Sequence, residues 1–288
     1  MPMTTTRRHR SIAILFASLL AFGCSSGGED EPGFVPGGCG LTAYAWLPAE
    51  QVGELVSFSE LESMRYAAAT LDAMLTVAGA EILTPSPYGV RAYKIRYTTQ
   101  DKGEKLEATG LVLIPWIDGE SIAPRPEVIF THGTNGFANE CAPGREAAEG
   151  DLFALMLVAS RGYVVAAPDF IGLDAQGPID QANEHPHAYL GLEQMAIGSF
   201  DCLRAARQLL DGELADYVAR DERVVLWGAS QGGHAVFANL LYAQHYAPEM
   251  SIQAAVALIP PTDLKGLTEY AVSSPNPATV ALSAVMAT

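Results

Sequence analysis

The chain has 288 residues, enough for one large domain or two small ones and for a sizeable apolar core. Its hydrophobic fraction of 49%, with 27 Gly and 18 Pro, argues against a disordered or fibrous protein. A formal charge of −16 excludes a non-specific grip on nucleic acid or anionic lipid, since both need a basic surface.

The N-terminus reads as an export signal. Arg7, Arg8 and Arg10 form a basic start, Ser11 to Phe22 is an apolar run, and Gly23-Cys24 closes it. About 12 apolar residues are too few for a bilayer that takes roughly 20, so residues 1–23 are expected to be a signal peptide. Cys24 follows a small residue and precedes Ser25-Ser26-Gly27-Gly28-Glu29-Asp30-Glu31-Pro32, an arrangement that resembles a bacterial lipoprotein processing site. Cys24 is therefore the expected lipidation site, with residues 24–38 a flexible linker. The expected location is the outer membrane or cell surface, or the periplasm or medium if processing is plain secretion. Cys39, Cys141 and Cys202 remain. Their odd number leaves one bridge and a free thiol, or a partner beyond residue 288, and the spacing does not choose.

Further along, apolar residues at Leu61, Met64, Ala68, Leu71, Met74 and Leu75 recur at helical spacing, predicting a helix from Ser59, as its cap, to about Thr76. Tyr88 to Thr99 alternates like a strand, Asp101-Lys102-Gly103 is a turn, and Leu106 to Trp116 is the returning strand of a hairpin. The rhythm then changes. Val128-Ile129-Phe130, Tyr163 to Ala167, Arg223 to Trp227 and Ile252 to Ile259 are short apolar strands. Leu152 to Ala159, about Leu190 to Leu210, and Gly233 to Tyr246 are helices between them. Alternating short strands and longer helices predict an α/β domain, residues 39–288, with a mainly parallel sheet, helices on both faces and an N-terminal antiparallel hairpin.

Gly228-Ala229-Ser230-Gln231-Gly232 has the form of a nucleophile elbow, the sharp strand-to-helix turn that lifts a serine hydroxyl above a sheet. Glycines two before and two after the serine remove side chains that would collide where strand and helix converge, which gives Gly228 and Gly232 their supporting role. Val224-Val225-Leu226-Trp227 supplies the strand and the segment from Gly233 the helix, so Ser230 is the expected nucleophile. Acyl transfer also needs donors for the charge that develops on the attacked carbonyl oxygen. The backbone N–H of Gln231 is one candidate. The loop His132-Gly133-Thr134-Asn135-Gly136, directly after a buried strand, offers the Thr134 N–H as the other. An ordinary Gly-rich turn with a structurally bonded His132 is the competing reading of that loop.

Acid and base are harder to find. After Ser230 the only histidines are His234, at the start of a helix that leaves the elbow, and His245, about three turns on; both read as packing or surface residues. Asp263 follows the next strand with no later histidine to orient. Asp169, at a buried strand end, is expected to fix its loop by hydrogen bonds. Glu184, His185 and His187 sit in a Pro-containing loop without the third spaced ligand set that a metal site needs. No dinucleotide fingerprint or phosphate-cradling loop appears, so neither a cofactor nor a metal is expected.

Together these segments resemble the bacterial and fungal secretory lipases of the α/β-hydrolase fold. The resemblance runs from about Tyr88 through Asp263. It rests on the 132–136 loop with Cys141-Ala142-Pro143, on Arg161 through Leu173, and on His187-Ala188-Tyr189. It continues through Trp227-Gly228-Ala229-Ser230-Gln231-Gly232-Gly233-His234 and Pro260-Pro261-Thr262-Asp263-Leu264. It implies hydrolysis of carboxylic esters, acylglycerols included, without a cofactor, with Ser230 as nucleophile and backbone donors at Thr134 and Gln231. It also implies that the triad acid and base lie beyond residue 288, after a lid insertion that residues 270–288 begin. A non-catalytic exported binding protein on the same core, or a serine peptidase or acyltransferase, are the alternatives.

Overall fold

The computed structural model describes residues 44–77, 84–145, 149–179 and 185–273. The expected signal peptide, Cys24, the linker, Cys39 and Glu184 lie outside the described residues, as does the expected lid segment from residue 274. Seven strands are described: β1 (Leu55–Glu60), β2 (Gly89–Asp101), β3 (Glu104–Trp116), β4 (Ile122–Thr131), β5 (Val164–Pro168), β6 (Val218–Ala229) and β7 (Ser251–Leu258). They form one sheet in the order β1-β2-β3-β5-β4-β6-β7. The helices are α1 (Ala68–Val77), α2 (Glu149–Ser160), α3 (Leu192–Asp211), α4 (Gln231–Tyr246) and α5 (Leu264–Ser273).

Pairings β1–β2, β2–β3 and β3–β5 are antiparallel, whereas β5–β4, β4–β6 and β6–β7 are parallel. Five of the seven strands, β2 and β4 to β7, therefore point the same way. This is the predicted α/β architecture, with the hairpin turning at Lys102-Gly103.

Side-chain alternation explains why the inner strands read as unbroken apolar runs. Val164 and Ala166 of β5 face α3, while Val165 and Ala167 face α1 and α2. One core joins Tyr93, Ile95, Val112 and Ile114 to the buried faces of α3 and α4. The other joins Val90, Ala92, Leu111, Leu113, Val128 and Phe130 to Leu71 and Leu75 of α1 and Leu155 and Ala159 of α2. A sheet covered on both faces needs apolar residues at every position.

Two elements differ from expectation. Ser59 does not cap a helix; it lies in β1, paired with Lys94, and α1 begins only at Ala68. Leu61 and Met64 owe their apparent helical spacing to a short 3-10 turn, Glu62–Met64, between strand and helix. Residues 270–273 are the last turn of α5, which starts at Leu264 on an Asp263 cap: the Gly266 N–H donates to Asp263 Oδ1 at 2.8 Å. Cys141 and Cys202 are both free thiols, Cys202 buried inside α3. At the far end of the sheet β7 is open on both faces, and Val256, Leu258 and Ile259 are exposed.

Candidate active site

Ser230 sits where β6 ends and α4 begins, in the middle of the parallel half of the sheet. Its backbone has φ 55° and ψ −120°, a left-handed conformation that costs a non-glycine residue about 1–3 kcal/mol. The neighbours enforce it. The Ser230 N–H donates to Leu258 O at 2.9 Å, at the end of β7, and Ser230 O accepts from His234 N at 3.1 Å, opening the helix. Thr131, paired with Gly228 across β4 and β6, has its hydroxyl 2.8 Å from Gly232 O and 3.1 Å from Trp227 O. Strand, turn and helix are thereby tied to the end of β4.

Both flanking glycines are sterically required. A Cβ on Gly228 would lie 2.3 Å from Gly232 O and from Thr131 Oγ1, and one on Gly232 would lie 1.9 Å from Thr131 O. The atoms in the way are largely backbone, so Gly232→Ala has to push the end of β4 off α4. A loss of about 3 kcal/mol or more is expected, read as a lower urea midpoint. A midpoint equal to wild type contradicts this packing.

Gln231 is the first residue of α4, so its N–H precedes any intrahelical acceptor and stands at the positive end of the helix dipole. Gly133 runs beside the same turn; its nearest neighbour, were it alanine, is Ala229 O at 3.7 Å. The fold therefore brings the 132–134 loop and the helix N-terminus together next to Ser230. Thr134 Oγ1 lies 2.8 Å from the Tyr189 hydroxyl.

His132 is held inside the loop rather than offered to Ser230. It is buried, with Nδ1 2.6 Å from Gly133 O and Nε2 3.2 Å from Asp169 O, and its ring packs 4.4 Å from Phe170. Asp169 fixes the loop as expected. Its carboxylate accepts from Thr109 Oγ1 and from Gly144 N, each at 2.7 Å, and its own N–H donates to Thr109 O. Burial pushes the Asp169 carboxyl up to about 6 against those two donated bonds.

His187 has a role that its loop position does not announce. Nδ1 is 3.2 Å from Ile171 O and Nε2 is 2.8 Å from Gln231 Nε2. A carbonyl can only accept, so Nδ1 carries the proton and Nε2 accepts from the Gln231 amide. Burial lowers the His187 pKa to about 4, so the ring is neutral in the fold. The stability that this neutral ring carries is complete above the ordinary imidazole value of roughly 6.5 and drains away as pH falls toward 4. Asp169 has the opposite sign: its contribution is present at acid pH and lost as pH rises through about 6. A difference measurement separates the two. The stability gap between wild type and His187→Asn is expected to narrow by about 3 kcal/mol between about pH 7 and about pH 4 in urea unfolding. A pH-independent gap contradicts the neutral, buried imidazole.

The described residues bring no histidine to the Ser230 hydroxyl. His234 Nε2 is 3.1 Å from Leu190 O, and the exposed His245 lies beside Gln244. Asp263 caps α5. Among the described residues no group of three His, Cys, Asp or Glu side chains is placed to hold a metal ion.

A family model for secretory lipases matches residues 147–282. Among solved structures, the rice cell wall degrading esterase LipA from Xanthomonas oryzae is 28% identical, with a TM-score of 0.64 over 80% of this chain and 55% of that one. A Legionella pneumophila protein is 25% identical, with a TM-score of 0.64 over 79% of this chain and 58% of its own. Candida antarctica lipase A, 17% identical with a TM-score of 0.51 over 76% of this chain and 44% of its own, shares the fold. The chain thus spans little more than half the length of the LipA chains it matches. No curated protein matches it in sequence.

Proposed function

We propose that this chain, similar to the secretory lipases over residues 147–282 and to the esterase LipA in fold, is the core of a carboxylic ester hydrolase with Ser230 as nucleophile. The observation that carries the reading is the strained Ser230 backbone, φ 55° and ψ −120°, held at a strand-to-helix turn between two glycines that admit no Cβ. Strain of this kind persists only where the surroundings over-determine it, and here it lifts one hydroxyl to the end of the sheet.

Ser230 Oγ attacks the acyl carbonyl carbon while its proton passes to a histidine base supplied from outside the described residues. Negative charge on the carbonyl oxygen is met by the Gln231 and Thr134 N–H groups. Collapse breaks the ester C–O bond, and the alcohol leaves with the proton from the base. Water then attacks the acyl-enzyme, the base takes its proton, and Ser230 and a carboxylic acid are regenerated. The rings of Phe137 and Tyr189, 5.5 Å apart beside Thr134, favour an apolar ester, acylglycerols included. Export under the N-terminal signal, with lipid attachment at Cys24, would set the reaction outside the cytoplasm. Among the described residues no helix is long and apolar enough to cross a membrane.

The test is turnover of short-chain 4-nitrophenyl esters, beside a matched peptide amide, by the full-length protein. Ester cleavage well above the uncatalysed rate is expected. Amide cleavage without ester turnover makes it a peptidase, and turnover of neither favours a binding protein on the same core.

A further inference from the structure

The two groups assigned to the oxyanion hole lie on separate elements, Thr134 after β4 and Gln231 at the start of α4, yet a single short segment touches both. His187 Nε2 accepts from the Gln231 side chain at 2.8 Å, and two residues later the Tyr189 hydroxyl meets Thr134 Oγ1 at 2.8 Å. Leu190 adds a third tie, its carbonyl 3.1 Å from His234 Nε2 on α4. We propose that residues 187–190 are a clamp that fixes the spacing of the two oxyanion donors, with His187 and Tyr189 as positioning residues.

The segment is built to be rigid. Tyr189 N donates to His187 O and Gly191 N to Ala188 O, each at 3.0 Å, so the backbone folds into consecutive tight turns. Leu190 is held at φ 59°, a conformation that a branched apolar residue adopts only under constraint. On the inner side the clamp presses on Gly172, where a Cβ would lie 2.3 Å from His187 N. Phe170 lies between the His132 and His187 rings, at 4.4 and 5.9 Å, so the base of the oxyanion loop and the clamp share one support. Phe137 closes the outer side, 5.9 Å from His187 and 5.5 Å from Tyr189. No comparable tie is needed if 187–190 is only a connection into α3. A connection would satisfy its own backbone and would not lend two side chains to the residues flanking Ser230.

An oxyanion hole works only when its donors are aimed at the place the developing charge will occupy. Letting one donor drift by about 1 Å costs on the order of 100-fold in rate. The clamp rests on the hydrolase reading, and the experiment separates the two. In the full-length protein, short-ester kinetics are measured for wild type, Ser230→Ala, Tyr189→Phe, Thr134→Val, Thr134→Ser and the Tyr189→Phe/Thr134→Val double variant.

Tyr189→Phe and Thr134→Val are each expected to lower kcat by about 10- to 100-fold at nearly unchanged KM. The double variant should lose no more than the worse single, because both changes cut the same bond. Thr134→Ser, which keeps the hydroxyl bonded to Tyr189, should lose less kcat than Thr134→Val. If Tyr189→Phe melts at a lower temperature, Thr134→Val cuts the bond from the other side and carries the test. Full kcat in both single variants, multiplied losses in the double, or an effect on KM alone overturns the clamp while leaving the hydrolase reading standing. Wild-type ester turnover in Ser230→Ala overturns Ser230 as nucleophile, and with it the reading on which the clamp rests, whatever the other variants do.

Discussion

Ser230→Ala in the full-length protein is expected to lower ester turnover by about 10⁴- to 10⁶-fold, the range seen when the nucleophile of a serine hydrolase is removed. The loss should stop short of total because the proposed donors at Thr134 and Gln231 would still bind the carbonyl oxygen of a substrate attacked by water. Stability should barely move. Alanine bears the same strain at φ 55°, and the Ser230 bonds to Leu258 O and His234 N belong to the backbone. Unfolding within about 0.5 kcal/mol of wild type, beside a collapse of kcat, separates a catalytic hydroxyl from a structural one. Ser230→Gly sharpens the contrast. It should be equally inactive and no less stable, since glycine adopts this conformation without steric cost. A marked loss of stability in both variants would turn the elbow serine into a packing residue.

The largest effect on folding is expected at Arg207. Glu127 lies in the inner strand β4, between Val164 of β5 and Val224 of β6, and is fully buried. Arg207 reaches it from α3 with a two-pronged contact, Nη2 to Oε2 at 2.6 Å and Nε to both oxygens at 3.0 and 3.1 Å. Burial raises the Glu127 pKa even with the guanidinium beside it. Arg207→Ala therefore strands a carboxylate between two strands and should cost about 3–5 kcal/mol. The cost should shrink as pH falls, because protonation removes the buried charge that Arg207 offsets. Glu127→Gln, which deletes the charge and keeps the shape, should cost less than Arg207→Ala. Equal penalties at neutral and acid pH would mean that Arg207 acts through packing alone.

Most of the sheet was legible because its inner strands are buried on both faces, so they stand out as short apolar runs between helices. The hairpin was legible from Asp101-Lys102-Gly103. β1 was not. It is an edge strand with mostly exposed residues, and the 3-10 turn after it places Leu61 and Met64 at a spacing that imitates a helix. The start of β4 was hidden as well: Pro124 and Pro126 argue against a strand, and the ladder to β6 accommodates them only through register shifts at Ile122, Arg125 and Glu127.

At the site, local information sufficed for the elbow. Gly228 and Gly232 are needed within five residues of chain, so their signal is compact. The contacts of His187 with Gln231 and of Tyr189 with Thr134 span 44 and 55 residues, and nothing in the 185–190 loop points to either partner. Two histidines in a Pro-containing loop suggest a metal more readily than a neutral imidazole accepting from a glutamine. The signal that could have found it is the pairing of a histidine with the residue after the nucleophile, which only the fold brings together.

The assignment of Ser230 as nucleophile is tested most directly by covalent labelling. Full-length protein is treated with a serine-directed fluorophosphonate, digested, and mapped by mass spectrometry. One modification is predicted, on the hydroxyl of Ser230 in the peptide spanning Gly228-Ala229-Ser230-Gln231-Gly232, and it should vanish in Ser230→Ala. Labelling of another serine, or labelling that persists in Ser230→Ala, contradicts the assignment.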